Sequence, residues 1–545
     1  MAEDSFFSIS GNIVDVTGRN IFPGTVVVRD TRIEDIIPER TRYDSFICPG
    51  LVDSHVHIES SMLTPHEFSR VAVTRGTIAA VCDPHEIANV LGLRGVQFML
   101  DNARTSPFTF AFGAPSCVPA TPFESSGASI THTEIDILMS MDDIYHLSEV
   151  MNFPAVVAGD TEIMARIEAA KKRGKPVDGH APGLRGNDLK TYVSSGITTD
   201  HEATTIEEAL EKIGLGMKIL IREGSAARDF EALNTLISQR PDRCMLCSDD
   251  KHPDDLINGH MDLLVRKAIA LGHDPLDVLR CASMNPVLHY GLATGLLRKG
   301  DPADFIVVDS LKDFNVLKTY VRGMKVSEEG RPLIEKKHAE QVNIFHTKPK
   351  LAADFSIRAG GKTVRIITAE DGSLLTGKIT DMPLIKNGFV HSDPSRDILK
   401  IAVVNRYQDA RPALGLIRGF GLHKGAIATS VAHDSHNIIA VGVSDQDISA
   451  AVNAVIENRG GCAVVCSDFR TVMPLPIAGL MSDGDGWETA SRFSILQNRV
   501  RELGSPMKSP FITLSFMALL VIPHLKLSDK GLFDGDRFAF TGLFC

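Results

Sequence analysis

The sequence predicts an α/β fold centred on a (β/α)8 barrel of the TIM type, and three observations support this prediction. Between residues 49 and 299, eight short apolar runs alternate with stretches of helical periodicity, as in a parallel barrel of about 250 residues. On both sides of this region, short strands are separated by Gly, Asp and Pro. Ionisable residues follow most of the apolar runs, at the strand ends where barrel enzymes hold their chemistry.

The two flanks of the barrel are predicted to combine into one composite β-sandwich. The first flank is too small to bury a good core alone; its strand candidates are residues 6–9, 12–16, 24–29 and 32–37. Residues 305–309 and 314–326 have the same strand pattern, and a charged connector follows at 327–340. We therefore assign residues 1–48 and 300–345 to the sandwich.

The barrel is assigned to residues 49–299 on its alternating pattern. The predicted strands are residues 51–57, 77–83, 108–112, 144–149, 176–180, 198–202, 218–223 and 244–249. Helical periodicity is clearest at residues 64–74, 161–173, 205–213 and 228–238. Because parallel strands need crossover helices, this order favours a closed barrel.

Residues 346–545 are predicted to form a separate C-terminal α/β domain. Its strand candidates are residues 401–405, 426–430, 438–444 and 463–466, with a helix at 445–458 in a βαβ-like order. The apolar run at 511–523 is too short to cross a bilayer, so we expect it in the core.

Composition narrows the class of protein. A net charge of −11 argues against a nucleic-acid partner, which favours a basic surface. The N-terminus lacks the features of a signal peptide, and no apolar run of about 18 residues predicts a membrane span. The nine cysteines are scattered, as expected for reduced thiols. We expect a cytoplasmic protein.

The strand ends predict a metal site. His55 and His57 are two residues apart on a strand, so both imidazoles point to one face, and imidazole is a common metal ligand. The later strand ends carry Asp83, His85, Glu86, Glu149, His180, His201, Glu202, Glu223, Asp249 and Asp250. So many carboxylates and imidazoles converging on one mouth are best explained by two divalent cations.

Taken one at a time, several of these residues also fit a purely structural role. His180 and His201 are compatible with buried core histidines, and Asp249 with a helix N-cap. Glu149 has a rival ligand in Glu162. The collective register of these residues with the strand ends favours the ligand interpretation.

The motifs resemble those of a known family. Residues 49–62 (PGLVDSHVHIESSM) resemble the first-strand motif of the amidohydrolase superfamily. The fuller set is similar to the adenine deaminase family, nearly end to end; the matching segments are residues 82–90, 148–152, 179–184, 199–202, 222–225, 248–250, 430–437 and 511–519. The segments at 83–86 and 430–437 are the more specific ones.

The resemblance implies hydrolytic deamination of adenine to hypoxanthine and ammonia in purine salvage, by a metal-activated hydroxide at a binuclear Mn²⁺ or Fe²⁺ site. By similarity, the ligand positions are His55, His57, His180, His201 and Asp249, with Glu149 as the bridging carboxylate. Glu149 stands where many superfamily members use a carboxylated lysine. Asp249 would also accept the proton of the attacking hydroxide.

A second group must protonate the purine ring at N1 and the leaving amine. Several deaminases place a glutamate three residues after the fifth-strand histidine, but Gly183 occupies that position here. We predict Glu86 for this role, with Glu202 as the second choice. The expected substrate-binding residues are Asp83, His85, Asn89, Glu202, Glu223, His433, Asp434 and His436. For the segment 431–437, a strand-to-helix turn with capping residues is an equal alternative.

Other functions are less well supported. A hydantoinase, a dihydroorotase or another amidohydrolase acting on a cyclic amide or amidine is the alternative, as is a sugar deacetylase. These enzymes favour a lysine bridge or different loops, and they lack this C-terminal domain. A non-catalytic scaffold would have lost ligands, and a nucleic-acid-editing deaminase would carry a Pro-Cys-x-x-Cys motif that the chain lacks. We expect a small purine substrate and a homodimer. Residues 534–545 extend past the usual family ending and resemble an added tail.

Overall fold

The computed structural model describes residues 6–545, so the first five residues, on which the prediction of no signal peptide depends, lie outside it. Among the described residues, no helix combines the length and the apolar character that a membrane span requires.

The first flank forms four strands. They are β1 (Phe6–Asp15), β2 (Asn20–Arg29), β3 (Arg32–Pro38) and β4 (Phe46–Pro49). The two predicted strands at 6–9 and 12–16 are one, because Gly11 stays in register opposite Gly24 of β2. A Cβ atom on Gly11 would lie 2.9 Å from Ile47 Cγ1, so glycine here lets β4 approach β1 closely.

Within the described chain, the eight predicted barrel strands are all present. They are β5 (Leu51–Val56), β6 (Thr77–Cys82), β7 (Thr109–Ala114), β8 (Ile144–Val150), β9 (Val177–Gly179), β10 (Thr199–Asp200), β11 (Lys218–Arg222) and β12 (Cys244–Cys247). Neighbours pair in parallel. The ring closes where Asp249 N–H donates to the His55 carbonyl at 2.9 Å and Thr198 N–H to the Val177 carbonyl at 2.8 Å. The predicted barrel fold is confirmed.

Helices surround the barrel strands. They are α1 (Pro65–Ala72), α2 (His85–Leu91), α3 (Leu93–Ala103), α4 (His132–Met139), α5 (Phe153–Ala158), α6 (Thr161–Lys171), α7 (Gly186–Ser194), α8 (Ile206–Gly214), α9 (Phe230–Leu233), α10 (Leu236–Gln239), α11 (Pro253–Asn258), α12 (Met261–Ala270), α13 (Pro275–Leu279) and α14 (Asn285–Tyr290). Short 3-10 turns lie at Ile58–Ser61 and Val73–Arg75, and a π turn at Arg280–Met284. The predicted helix at 228–238 is broken, because Asn234 Nδ2 donates to the Glu231 carbonyl at 2.8 Å and competes with the helical bonds.

The second flank joins the first in a single sheet. It comprises β13 (Phe305–Val308), β14 (Val316–Val321), β15 (Met324–Glu328) and β16 (Arg331–Pro332). Among the described strands the order is β16-β15-β14-β13-β4-β1-β2-β3. The predicted strand 314–326 is a hairpin, turning at Arg322 and Gly323, whose φ angles of 48° and 76° are left-handed. The sheet curls until Arg32 bridges Pro302, which encloses a shared apolar core.

The C-terminal region adds strands β17 (Ile357–Arg358), β18 (Val364–Thr368), β19 (Gly377–Asp381), β20 (Leu384–Lys386), β21 (Phe389–His391), β22 (Leu399–Val404), β23 (Ala413–Arg418), β24 (Ala426–Thr429), β25 (Ile438–Gly442), β26 (Gly461–Val465), β27 (Arg470–Pro474), β28 (Leu525–Ser528), β29 (Gly531–Asp534) and β30 (Ala539–Phe540). Its helices are α15 (Asp445–Glu457), α16 (Gly486–Glu502) and α17 (Pro510–Phe516), with 3-10 turns at Ala352–Phe355 and Pro394–Arg396. The main sheet has the order β19-β18-β23-β22-β25-β24-β26-β27.

This main sheet is more antiparallel than the predicted βαβ order implied. Among its described neighbours, β18 and β23 pair in parallel and the others pair in antiparallel fashion. The crossover through α15 does connect two parallel strands, β25 and β26, but β24 lies between them. The local periodicity of the sequence predicted helix α15. It could not predict that β24, the strand before β25, lies between β25 and β26.

The C-terminal region packs directly on the barrel. The largest apolar cluster contains residues from both, including Ile87 of α2 and Phe511 of α17. Gly486, at the start of α16, lies against α1: a Cβ atom there would be 2.7 Å from Val71 Cγ2. The apolar run predicted for the core is buried, as expected. The domain therefore covers the barrel rather than standing apart from it.

The last residues are part of the fold and not a loose tail. Strand β30 pairs with β29, and Phe544 bridges Val364 at the edge of the main sheet. Phe538 and Phe540 pack their rings around Phe123 of a barrel loop, with centroids 5.3 and 5.6 Å away. The segment 534–545 therefore packs as part of the C-terminal region.

Candidate functional site

The barrel strands bring the six predicted metal ligands together at their C-terminal ends. His55 lies in β5 and Glu149 in β8, and the other ligands directly follow β5, β9, β10 and β12. All six are buried; they are His55, His57, Glu149, His180, His201 and Asp249. Their convergence follows from the barrel itself, because parallel strands end at the same rim.

The donor atoms form two groups that share Glu149. His55 Nε2 and His57 Nε2 are 3.2 Å apart, and they lie 3.7 and 3.4 Å from Asp249 Oδ1. His180 Nδ1 and His201 Nε2 lie 2.7 and 3.1 Å from Glu149 Oε2, whose partner oxygen is 3.5 Å from His57 Nε2. Ligands bound at about 2.0–2.2 Å around one ion are separated by roughly 3.4 Å. The donor set therefore fits metal ions.

The structure excludes the alternative assignments for Glu162, Asp249 and the two histidines at residues 180 and 201. Glu162 is exposed and pairs with His132 at the surface. Helix α11 has His252, not Asp249, at its N-cap. His180 and His201 face a carboxylate and not an apolar core.

Neighbouring groups in the cluster lower the pKa of a carboxylate and raise the pKa of an imidazole. Burial alone would raise the pKa of Asp249, but hydrogen bonding with His57 and the charge of Arg222 hold it well below the usual carboxyl range. Burial would lower the pKa of His201, but the hydrogen bond and charge of Glu149 raise it to about 9. Glu149 thus favours positive charge on His201, and metal binding would displace that proton.

A neighbouring carbonyl orients His57. Its Nδ1 lies 3.2 Å from the carbonyl oxygen of Asp83. Donation by Nδ1–H leaves Nε2 with a free lone pair directed into the cluster. Metal-binding histidines are commonly fixed in this way.

Arg222, at the end of β11, was missed by the sequence reasoning. Its guanidinium donates to Asp249 Oδ2 at 2.9 Å and to both oxygens of Glu202. Glu223, the residue predicted instead, points the other way and pairs with Lys267 at 3.1 Å. Side chains alternate along a strand. A prediction that placed residue 222 on the inward face, and not residue 223, would have identified Arg222.

Glu202 does reach the ligand cluster. Its Oε1 lies 3.6 Å from both His180 Nδ1 and His201 Nε2. Arg222 binds both of its oxygens, however. The carboxylate is therefore fixed in place beside the cluster.

A second polar cluster joins the barrel to the C-terminal domain. Glu86 of α2 contacts His433 Nδ1 at 2.5 Å through one oxygen and His436 Nε2 through the other. His85 Nε2 lies 3.4 Å from Glu86 and 3.8 Å from Asp434. The segment that holds these C-terminal residues connects β24 to β25, so a helix-capping role is excluded.

This cluster is linked to the metal-ligand cluster by His85. His85 Nδ1 lies 3.5 Å from Glu149 Oε1. Burial would raise the pKa of Glu86, but the imidazoles of His433 and His436 hold it well below its usual range. Burial would lower the pKa of His433, but the charge of Glu86 raises it to about 9. Glu86 is thus a carboxylate next to a protonated imidazole.

Two of the predicted substrate-binding residues, Asp83 and Asn89, contact His85 from below. They do not line the cavity that lies between the two clusters. Asp83 accepts from the His85 backbone N–H at 3.1 Å, and its other oxygen is 3.2 Å from His85 Nδ1. Asn89 donates to the His85 carbonyl at 3.0 Å. Both residues hold His85 in place.

A cavity of about 30 Å³ lies between the two clusters. Polar residues of the barrel and of the segment 433–434 form its floor and sides. The C-terminal region contributes an apolar wall, made by Leu374, Phe516, Leu519 and Val521. The sequence reasoning found the polar part but not this wall, since apolar residues carry no chemical signal.

Comparison with known proteins places this arrangement in a family. The model of the amidohydrolase family matches residues 46–326, and that of the adenine deaminase C-terminal domain matches residues 373–539. The amidohydrolase family implies a divalent metal site, and the donor groups described above could hold the ion.

Close relatives cover the whole chain. An adenine deaminase from a Sulfurovum species is 56% identical over 534 residues, and one from Salinibacter ruber is 53% identical over 540, with 98% and 99% of each chain covered. A third, from Parabacteroides distasonis, is 48% identical over 544 residues and covers 100% of both chains, so the C-terminal residues are not an addition. The chain belongs to the adenine deaminase family of amidohydrolases.

Proposed function

We propose that this enzyme hydrolyses adenine to hypoxanthine and ammonia and serves purine salvage. The observation that carries the proposal is the meeting of two clusters at one cavity. One holds the metal ligands of the barrel, and the other joins Glu86 to His433 of the C-terminal domain. The relatives that share both regions are named adenine deaminases, which supports adenine as the substrate.

Two divalent ions, Mn²⁺ or Fe²⁺, are proposed for the ligand cluster. His55, His57 and Asp249 would hold one ion and His180 and His201 the other, with Glu149 between them. When bound, the ions supply hydroxide at neutral pH by lowering the pKa of water. The proposed homodimer and cytoplasmic location rest on the sequence-based expectations alone.

Asp249 is the proposed acceptor of the proton released as water attacks C6. Its carboxylate is ionised at neutral pH, because its pKa lies well below the usual range. Arg222 holds Oδ2 at 2.9 Å, which directs Oδ1 toward the histidine pair. A fixed, ionised carboxylate next to the ligands can serve as general base.

Glu86 is proposed to deliver one proton to N1 and a second to the leaving amine. Water gives up two protons as its oxygen becomes the carbonyl of hypoxanthine, the first of them to Asp249, and these replace the two protons that leave through Glu86. Since Glu86 rests as a carboxylate, it must first receive each proton. His433, whose pKa is raised to about 9, can supply one across the 2.5 Å contact. Glu202 is the weaker candidate, because Arg222 occupies both of its oxygens.

The remaining residues of the cavity are proposed to bind the purine. His85, His433 and Asp434 line it and offer donors and acceptors for the edge of the ring. The apolar wall would pack against the ring face. Asp83, Asn89 and His436 would act indirectly, by holding His85 and Glu86.

The proposed function is tested with purified protein, Mn²⁺ and adenine. We expect equal amounts of hypoxanthine and ammonia. Removing metal with a chelator should abolish the reaction, and Mn²⁺ should restore it. Hydantoin, dihydroorotate and N-acetylglucosamine 6-phosphate serve as competing substrates. Turnover of one of these, with none of adenine, would overturn the proposal.

Replacing Arg222 with methionine tests the charge balance of the site. The substitution leaves Glu202 and Asp249 without their shared counter-charge, so the pKa of Asp249 should rise. We expect metal affinity or kcat/KM to fall by about 10–100-fold, as when other partners of metal ligands are lost. Mn²⁺ titration and steady-state kinetics measure both.

Arg228 provides a matched control for this variant. It follows the same strand, but its side chain is 54% exposed and lies 3.8 Å from Asp255. Arg228→Met should leave both quantities unchanged. Equal behaviour of the two variants would contradict the role assigned to Arg222.

A further inference from the structure

Lys526 connects two parts of the apolar wall. It lies in β28 and is fully buried. Its Nζ donates to the Leu374 carbonyl at 2.6 Å and to the Phe516 carbonyl at 2.9 Å. The side chains of Leu374 and Phe516 both line the cavity. One buried amine thus ties together two segments that are distant in the sequence but adjacent at the cavity.

Lys526 has no carboxylate partner, unlike the buried residues Lys212 and Lys400. Lys400 pairs with Asp445 at 2.5 Å and Lys212 with Asp200 at 2.8 Å, whereas Lys526 has no charged partner among the described residues. Burial lowers the pKa of Lys526 to about 7. A neutral amine still carries two N–H groups, which match the two carbonyls. The site thus offers the amine two carbonyl acceptors and no carboxylate.

The segment around Leu374 is anchored on both sides of that residue. The Gly372 N–H donates to Thr513 Oγ1 at 2.9 Å, and the Thr376 N–H donates to the Pro523 carbonyl at 3.1 Å. Lys526 binds the carbonyl between these two anchors. The next side chain, Leu375, is 58% exposed, so little packing holds the middle of the segment from outside.

The wall must move for a purine to enter. The cavity of about 30 Å³ has room for about one or two water molecules, and adenine is several times larger. The barrel side of the cavity is formed largely by residues at the ends of the parallel strands. Leu374 lines the cavity and its neighbour Leu375 is 58% exposed, so we expect the segment of residues 371–376 to be the part of the wall that moves outward.

We propose that Lys526 is a positioning residue that holds Leu374 and Phe516 in register, so that the apolar wall closes over the purine as a unit. This inference rests on the proposed function. Lys526 touches neither the substrate nor the metal ligands. Its effect is on how tightly the closed wall grips the ring.

The test compares Lys526→Met with Lys400→Met in the metal-loaded enzyme. Methionine keeps most of the packing but removes both donors. We expect Lys526→Met to raise KM for adenine about tenfold, as for the loss of two hydrogen bonds, with metal content unchanged. Lys400 is equally buried in β22 and bonds the Phe355 carbonyl at 3.2 Å, away from the cavity. Lys400→Met should leave KM unchanged.

Two further measurements separate positioning from a general structural role. Lys526→Arg, which keeps donors, should recover part of the lost affinity. Hydrogen exchange of residues 371–376 should be faster in Lys526→Met than in Lys400→Met. If Lys526→Met does not fold, exchange is measured on the wild type, where hypoxanthine should protect residues 371–376.

The outcomes distinguish this inference from the proposed function. Wild-type protein that does not deaminate adenine overturns the function and with it the inference. Active wild-type protein overturns the inference alone in either of two cases. One is an equal KM in the two methionine variants; the other is unchanged exchange of residues 371–376 on binding hypoxanthine.

Discussion

Replacing His57 with alanine is expected to lower kcat/KM for adenine by at least about 10³-fold, because metal activation contributes several kcal/mol to such reactions. His57 Nε2 lies within 3.5 Å of His55, Asp249 and Glu149. It therefore lies in the group formed with His55 and Asp249 and also contacts Glu149, which the two groups share. Loss of its imidazole should remove about one equivalent of bound metal along with activity.

The measurement pairs metal analysis of the purified variant with steady-state kinetics. His66 is the matched control: it is 1% exposed and lies in the barrel. Its ring bonds Thr105 and the Glu335 carbonyl, away from the ligands. His66→Ala should reduce stability but keep the metal and the kcat of the folded enzyme. A His57→Ala variant with full metal content and near-normal turnover would refute the ligand assignment.

Replacing Glu86 with glutamine is expected to lower kcat by about 10²–10⁴-fold, the usual contribution of a positioned proton-transfer group. Metal content should not change, because Glu86 contacts His433 and His436 rather than the six ligands. Glutamine has nearly the same shape but cannot carry a proton to N1. Loss of the carboxylate also removes the charge that raises the pKa of His433.

Glu124→Gln is the matched control for Glu86→Gln. It is another buried glutamate at the same interface, but burial raises its pKa well above the usual range. Burial thus favours the uncharged form of Glu124, so Glu124→Gln changes the charge of this position less than Glu86→Gln changes the charge of residue 86. We expect wild-type kcat for that variant. Near-normal turnover in Glu86→Gln would reassign proton delivery to another residue.

The cluster of candidate metal ligands at the barrel strand ends could be predicted because it depends on local rules. Strand alternation places His55 and His57 on one face, and barrel topology brings the ends of β5, β8, β9, β10 and β12 to one rim. Any sequence with these strands in this order must gather those side chains. The prediction failed at Glu223 because it was wrong by one residue along the strand. The side chain of Arg222 points into the barrel, and that of Glu223 points outward.

The flanking sheet and the C-terminal domain were predicted less completely. Helix α15 is visible in the sequence from its own periodicity. The insertion of β24 between β25 and β26 is not, because strand order is set by long-range pairing. The last residues resembled an appended tail for the same reason: the aromatic contacts of Phe538 and Phe540 with Phe123 span the length of the chain.

By itself, the sequence determined the barrel, the strand ends and the chemical types of the candidate metal ligands, since each follows from periods of two to four residues. Only the tertiary structure decided what faces those ligands. It placed Glu86 between His433 and His436, gave Asp249 the guanidinium of Arg222, and closed the cavity with a wall tied by Lys526. These contacts join residues that no local rule relates. They form because burial of apolar surface drives the C-terminal domain onto the barrel mouth, and buried polar groups must then find partners across that interface.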